Sequence, residues 1–147
     1  MNNPASSLAI TLFSEVLTAD QLARGQLAKA LPKGMEISHF SVLNHLARTS
    51  EEKTPAQLAK SFHVTRGAMS NTLSKLEMAG YIHIRPDWDD ARRKQVTISN
   101  AGRHARDSAV ASIAPLLESV VNDLGADKVR SALPILRELR LRLESPE

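Results

Sequence analysis

At Tyr81 the spacing of apolar residues changes from 3.6 to 2, and that change limits what the chain can fold into. Beyond it, Ile82 and Ile84 alternate with His83 and Arg85, and Val96 and Ile98 alternate with Gln95 and Thr97. The two runs are joined by Pro86-Asp87-Trp88-Asp89-Asp90-Ala91-Arg92-Arg93-Lys94, which predicts a β-hairpin with a long, charged tip. The rest of the 147 residues reads as helix and short connections, so one small hairpin must be seated inside a mainly α fold.

Ser7 to Ala30 reads as a single helix about 36 Å long at 1.5 Å per residue. Its apolar residues (Leu8, Ile10, Leu12, Phe13, Val16, Leu17, Leu22 and Leu27) make a stripe too wide for a helix that touches one surface. Pro32 and Gly34 end it. A second helix runs from about Ser38 to Arg48, followed by a short polar loop. Thr54 opens a third, with Pro55 at the first helical position and Gln57 three residues on, as in a capping box. Ala56, Leu58, Ala59 and Phe62 are its expected inner face. Thr65 caps a fourth helix that turns Met69, Leu73 and Leu76 inward, and Gly80 suits the left-handed residue that closes it. Ser99 next to Asn100 opens a fifth helix, with a kink expected at Pro115 and a break at Gly125. A last helix starts near Asp127. Nothing resembles a repeat or an interdomain linker, which predicts a single domain over 1–147.

The composition removes whole classes of function. With no cysteine there is no disulfide, thiolate nucleophile, iron–sulfur cluster or Cys-zinc site. Five aromatic residues are too few for the stacking platforms of single-strand binders. No apolar run has membrane-spanning length, and the first base is Arg24, so the expectation is a soluble, cytoplasmic protein without a membrane partner. The net charge of +3 hides a division. Residues 60–106 carry nine bases against four acids, a net of +5, and the remainder carries −2. The excess falls on one helix face, the hairpin tip and the start of the fifth helix. A basic middle between near-neutral or acidic flanks is the pattern of a chain that meets a polyanion with one part only.

Helix, short turn, helix, hairpin is the order of a winged helix-turn-helix, placed at 36–99, with helices at 7–31 and 100–144 flanking it. The fourth helix would present Thr65, Arg66, Gly67, Ser70, Asn71, Ser74 and Lys75 outward. That face has bases near its ends, no acid, and small hydrogen-bonding side chains between them. Asn pairs with adenine edges and Arg with guanine edges in the major groove, while Ser, Thr and Lys hold phosphates. One hairpin of an ordinary helical bundle would have the same apolar spacing; the basic wing tip is what favours double-stranded DNA. In the wing, Arg92, Arg93 and Lys94 follow Asp87, Asp89 and Asp90. A carboxylate two residues before an Arg can bond the loop backbone or brace the guanidinium, and a braced Arg suits the narrow minor groove of A·T-rich DNA.

The run from Thr54 to Arg103 resembles the MarR family of transcriptional regulators. Leu76-Glu77 before Gly80-Tyr81-Ile82, the wing Asp90-Ala91-Arg92, and Val96-Thr97-Ile98-Ser99 before Ala101-Gly102 carry the resemblance. It implies a recognition helix from Thr65 to Ala79, Arg92 entering the minor groove, Asp90 bracing the wing, and a homodimer held by the first helix and the last two. Such a dimer sets its recognition helices one DNA turn apart, about 34 Å, on a pseudo-palindromic operator. It further implies a repressor released by a small phenolic or aromatic effector; His39, a lone histidine on the second helix, is read as a polar group lining the pocket for it.

Other chemistry has little support. No two histidines have the i, i+4 spacing of a metal pair; His39 and His104 could meet across the fold with Glu36, but no metal or other cofactor is expected. Phosphate-cradling loops, HExxH and GxSxG are absent, which argues against an enzyme. The remaining rival is a winged helix that binds protein, whose fourth helix would show apolar or acidic residues outward.

Overall fold

A computed structural model describes residues 3–49, 51–90 and 92–144. These form α1 (Pro4–Ala30), α2 (Ile37–Arg48), α3 (Pro55–Ser61), α4 (Arg66–Met78), β1 (Ile82–Pro86), β2 (Lys94–Ile98), α5 (Asn100–Leu124) and α6 (Ala126–Glu144). They divide into two compact units, with the boundary between Ser112 and Ile113 inside α5. The chain is mainly α with a hairpin wing, and no single described helix is long and apolar enough to cross a membrane.

The first unit is built around one core. Val42, Leu43 and Leu46 of α2, Leu58 and Ala59 of α3, Met69, Leu73 and Leu76 of α4, Ile82 of β1 and Val96 of β2 are buried together. Burying one Leu or Val side chain contributes about 1.5–3 kcal/mol, so this cluster fixes how α2, α3, α4 and the hairpin sit on one another. Phe62 packs on its edge as expected, whereas Ala56 is exposed: α3 is only seven residues long, and its inner face is used up by Leu58 and Ala59.

Local signals set the ends of the elements. Thr54 Oγ1 accepts from the Gln57 N–H at 3.1 Å and Gln57 Oε1 accepts from the Thr54 N–H at 2.9 Å, a closed capping box. α1 begins at Pro4 and not at Ser7, because Asn3 caps it by accepting from the Ala5 N–H at 2.8 Å, with Pro4 in the first turn. α2 begins at Ile37, where the Glu36 N–H donates to His39 Nδ1 at 3.1 Å. The hairpin pairs Ile82 with Ile98 and Ile84 with Val96. The loop before α3 also joins it. The Val96 N–H donates to the Lys53 carbonyl at 2.7 Å, so the sheet has a short third edge.

Ser99 fastens three segments. Its hydroxyl donates to the Gly80 carbonyl at 2.6 Å and accepts from the Gly102 N–H at 3.0 Å, while its own N–H donates to the Tyr81 carbonyl at 3.0 Å. The end of α4, the entry to β1 and the first turn of α5 are thereby joined. Gly80 sits at φ +81°, closing α4 as its sequence position predicts.

α1 buries none of its residues, and Leu8, Ile10, Leu12, Leu17 and Leu22 stay exposed. In the second unit Gly125, at φ +101°, separates α5 from α6, and Leu136, Leu141 and Leu143 of α6 are exposed as well.

Candidate nucleic-acid interface

Thr65 starts α4 by accepting from the Ala68 N–H on its hydroxyl at 3.0 Å. With Met69, Leu73 and Leu76 committed to the core, Arg66, Gly67, Ser70, Asn71, Ser74 and Lys75 are all exposed. The turn into this helix is tight. His63 holds a left-handed φ of +55°, and the Val64 N–H donates back to the Ala59 carbonyl at 3.0 Å.

The wing tip is ordered by its acids. Asp90 Oδ1 accepts from the Arg92 N–H at 3.0 Å and from Arg92 Nε at 3.2 Å, leaving the Arg92 side chain 91% exposed. Asp87 accepts from the Asp89 N–H on one oxygen and from Gln95 Nε2 on the other, both at 2.8 Å. Those contacts, the Asp89 N–H foremost, hold the Asp87 carboxyl below the usual carboxylate range. Across the tip, the Asp87 N–H donates to the Arg93 carbonyl and the Arg93 N–H to the Asp90 carbonyl, each at 3.0 Å. Two acids that cancel bases in a charge count thus act as ties within the loop. Ala91, the middle residue of the Asp-x-Arg wing, lies outside the described residues.

Wing and helix share a groove. Arg66 and Ser70 of α4 and Arg92, Arg93 and Lys94 of the wing line an open cavity of about 490 Å³, over Thr54, Pro55, Ala56 and Gln57. None of these residues is acidic. Ser74 lines a neighbouring cavity of about 360 Å³, with Ser70, Arg85, Lys94 and Glu77. Thr65, Gly67 and Asn71 stand exposed on α4 and line neither groove. Lys75 turns the other way: its ammonium lies 3.8 Å from Glu36, and it lines a separate cavity of about 470 Å³ with His39, Met35 and Tyr81.

Residues 33–93 match the family model described as MarR family. That stretch, from the approach to α2 to the wing tip, is MarR-like in sequence. No curated protein sequence matches the chain. Among solved structures, the transcriptional regulator BldR from Sulfolobus solfataricus is 23% identical with a TM-score of 0.83, covering 97% of this chain and 99% of that one. A cysteine-to-serine mutant of MarR from E. coli, complexed with operator DNA, is 22% identical with a TM-score of 0.80, covering 94% and 99%. The PcaV transcriptional regulator from Streptomyces coelicolor, in complex with its natural ligand, is 16% identical with a TM-score of 0.73, covering 95% and 96%. At these identities the likeness is one of fold, and it extends over nearly the whole chain.

Several features of this lobe are not visible in sequence spacing. Arg103 donates to the Ala47 carbonyl at 3.5 Å, and Arg106 donates to Asn44 Oδ1 through Nε and Nη2 at 3.1 and 3.0 Å. Two bases counted in the +5 segment therefore hold α5 to α2. Arg85 pairs with Glu52 and places its guanidinium 5.5 Å from the Trp88 ring centre. His39 is nearly buried and serves as a cap acceptor for α2 while it lines the cavity beside Lys75. Among the described residues no three His, Asp or Glu side chains gather as a metal-binding group, so His39, His104 and Glu36 do not form one.

Proposed function

We propose that the chain is a sequence-specific, double-stranded DNA-binding transcriptional regulator that acts by binding and not by catalysis. The observation that carries this is the acid-free groove in which Arg66 and Ser70 of α4 meet Arg92, Arg93 and Lys94 of the wing. α4 offers Asn71 and Arg66 to base edges in the major groove, and Thr65, Ser70, Ser74 and Lys75 to phosphates. Gly67 keeps the first turn of α4 slim enough for the backbone to approach the duplex, and Arg92, braced by Asp90, enters the adjacent minor groove.

The working unit is a homodimer on a pseudo-palindromic site. The uncovered apolar residues of α1 and α6 support it, since a chain of this size leaves so much apolar surface bare only where something covers it. A small aromatic or phenolic acid, held in the cavity of about 470 Å³ beside His39 and Lys75, releases the repressor from its operator. The ligand complex reported for PcaV is in keeping with such control.

The test is to select duplexes from a random-sequence pool with the purified protein and to titrate the winner in gel shifts at several salt concentrations. The expected result is retention of a pseudo-palindrome, with log Kd against log salt changing by about 0.9 per phosphate contacted. No enrichment, or an affinity indifferent to salt, overturns the DNA reading in favour of a protein-binding winged helix.

A further inference from the structure

The wing carries a side chain that the charge argument does not use. Trp88 is the only tryptophan in the chain, and 88% of it is exposed. Trp is among the residues most often covered in folded proteins, and a bare indole is a large apolar area facing water. Its exposure is built in. Asp87 folds its carboxylate back onto the Asp89 N–H and Gln95, which turns the chain about Trp88 and projects the ring outward. Arg85, itself paired with Glu52, stands 5.5 Å from the ring centre and steadies it by a cation–π contact. The wing therefore displays two side chains, Trp88 and Arg92, each backed by a partner within the protein.

We propose that Trp88 is a DNA-contacting residue whose indole packs against the sugars lining the groove that the wing enters, beside the step reached by Arg92. The inference rests on the DNA-binding function proposed above and extends it to a contact of different physical kind. A duplex is favoured over a protein because Trp88 shares its loop with Arg92, Arg93 and Lys94, which line the basic groove with α4. Deoxyribose offers an apolar face to an indole, and with Asp87 and Asp89 flanking Trp88 the ring adds contact without adding positive charge. Its contribution should not depend on counterion release, in contrast to that of the neighbouring bases.

Trp88 provides its own reporter. The probe is a fluorescein-labelled duplex selected by the wild-type protein from a random pool; label anisotropy reads binding, and acrylamide quenching of tryptophan emission reads the ring. Saturation with the duplex is expected to shield Trp88 from acrylamide. Trp88→Ala should weaken binding roughly five- to thirtyfold at every salt concentration with an unchanged salt slope, Trp88→Phe should recover most of the loss, and both variants should melt as the wild type does. Binding with Trp88 still open to acrylamide and Trp88→Ala unimpaired overturns the proposal and leaves the ring to a protein partner. A changed salt slope in Trp88→Ala also overturns it, because the ring would then act by placing Arg85 or the wing bases. If no duplex binds the wild-type protein, the DNA reading itself fails and takes this contact with it.

Discussion

Gly102 and Tyr81 meet backbone to backbone: a Cβ on Gly102 would run into the Tyr81 carbonyl oxygen and lie 2.8 Å from Ile98 Cγ1. The same carbonyl accepts from the Ser99 N–H, so it cannot swing away without breaking the joint between β1 and α5. Gly102→Ala is expected to cost about 2–3 kcal/mol in urea unfolding, as over-packing against an immobile neighbour does. A loss under about 0.5 kcal/mol, the usual range of surface changes, would mean that the contact relaxes freely.

The turn between α3 and α4 makes a second prediction. His63 has φ +55°, a region that non-glycine residues enter at a cost and that β-branched side chains tolerate least. His63→Val should destabilise the lobe by about 1–2 kcal/mol more than His63→Asn does in thermal melts. Equal melting temperatures for the two variants would contradict the strained-turn account.

What the sequence revealed and what it concealed follow from the range of each interaction. The capping box of Thr54 and Gln57, the cap at Thr65, the closure at Gly80 and the pairing of Ile82 and Ile84 with Ile98 and Val96 involve near neighbours or strict alternation, and all were legible. The brace from Asp90 to Arg92 spans two residues and was legible for the same reason. Arg85 with Glu52, Arg106 with Asn44 and Gly102 with Tyr81 join residues far apart in the chain, and no local pattern announces them. The Asn3–Pro4 start of α1 is a local signal too, but it lies ahead of the apolar stripe that begins at Leu8, and periodicity alone places the start later. His39 escaped as a cap because a histidine acceptor is outside the usual Glu or Gln signature.

Asp87 predicts a pH response confined to acid. Its carboxyl lies below the ordinary value of 3.8, chiefly because the Asp89 N–H bonds the charged form, with the Gln95 amide second. A lowered folded value means that the wing ties are fully present above pH 3.8 and are lost as pH falls through the folded value. A carbon-detected NMR titration should give a midpoint below 3.8 for Asp87, and Asp87→Asn should remove that transition. A midpoint at or above 3.8 would refute the ordering role.

Arg92→Ala should weaken duplex binding by about 1–3 kcal/mol without altering the melting temperature. Asp90→Ala should cost less, and the double variant little more than Arg92→Ala alone, because Asp90 acts through Arg92. Fully additive losses in gel-shift titrations would show that the two residues work independently.

Ile10→Asp combined with Leu17→Asp places two charges on the uncovered side of α1. Sedimentation should report a dimer for the wild type and a monomer for this variant, with the helical circular dichroism of the lobe retained. A variant that still sediments as a dimer would move the interface elsewhere.

The Ser99 joint has a mechanical consequence. Because one residue ties the end of α4, the entry to β1 and the start of α5, these segments cannot pivot separately. The part of α5 up to Ser112 therefore moves with the α4–wing head. The cavity lined by His39 and Ser108 borders this same tied head. In a two-fold assembly the quantity under control would be the distance between two rigid heads, and the duplex would measure it like a gauge.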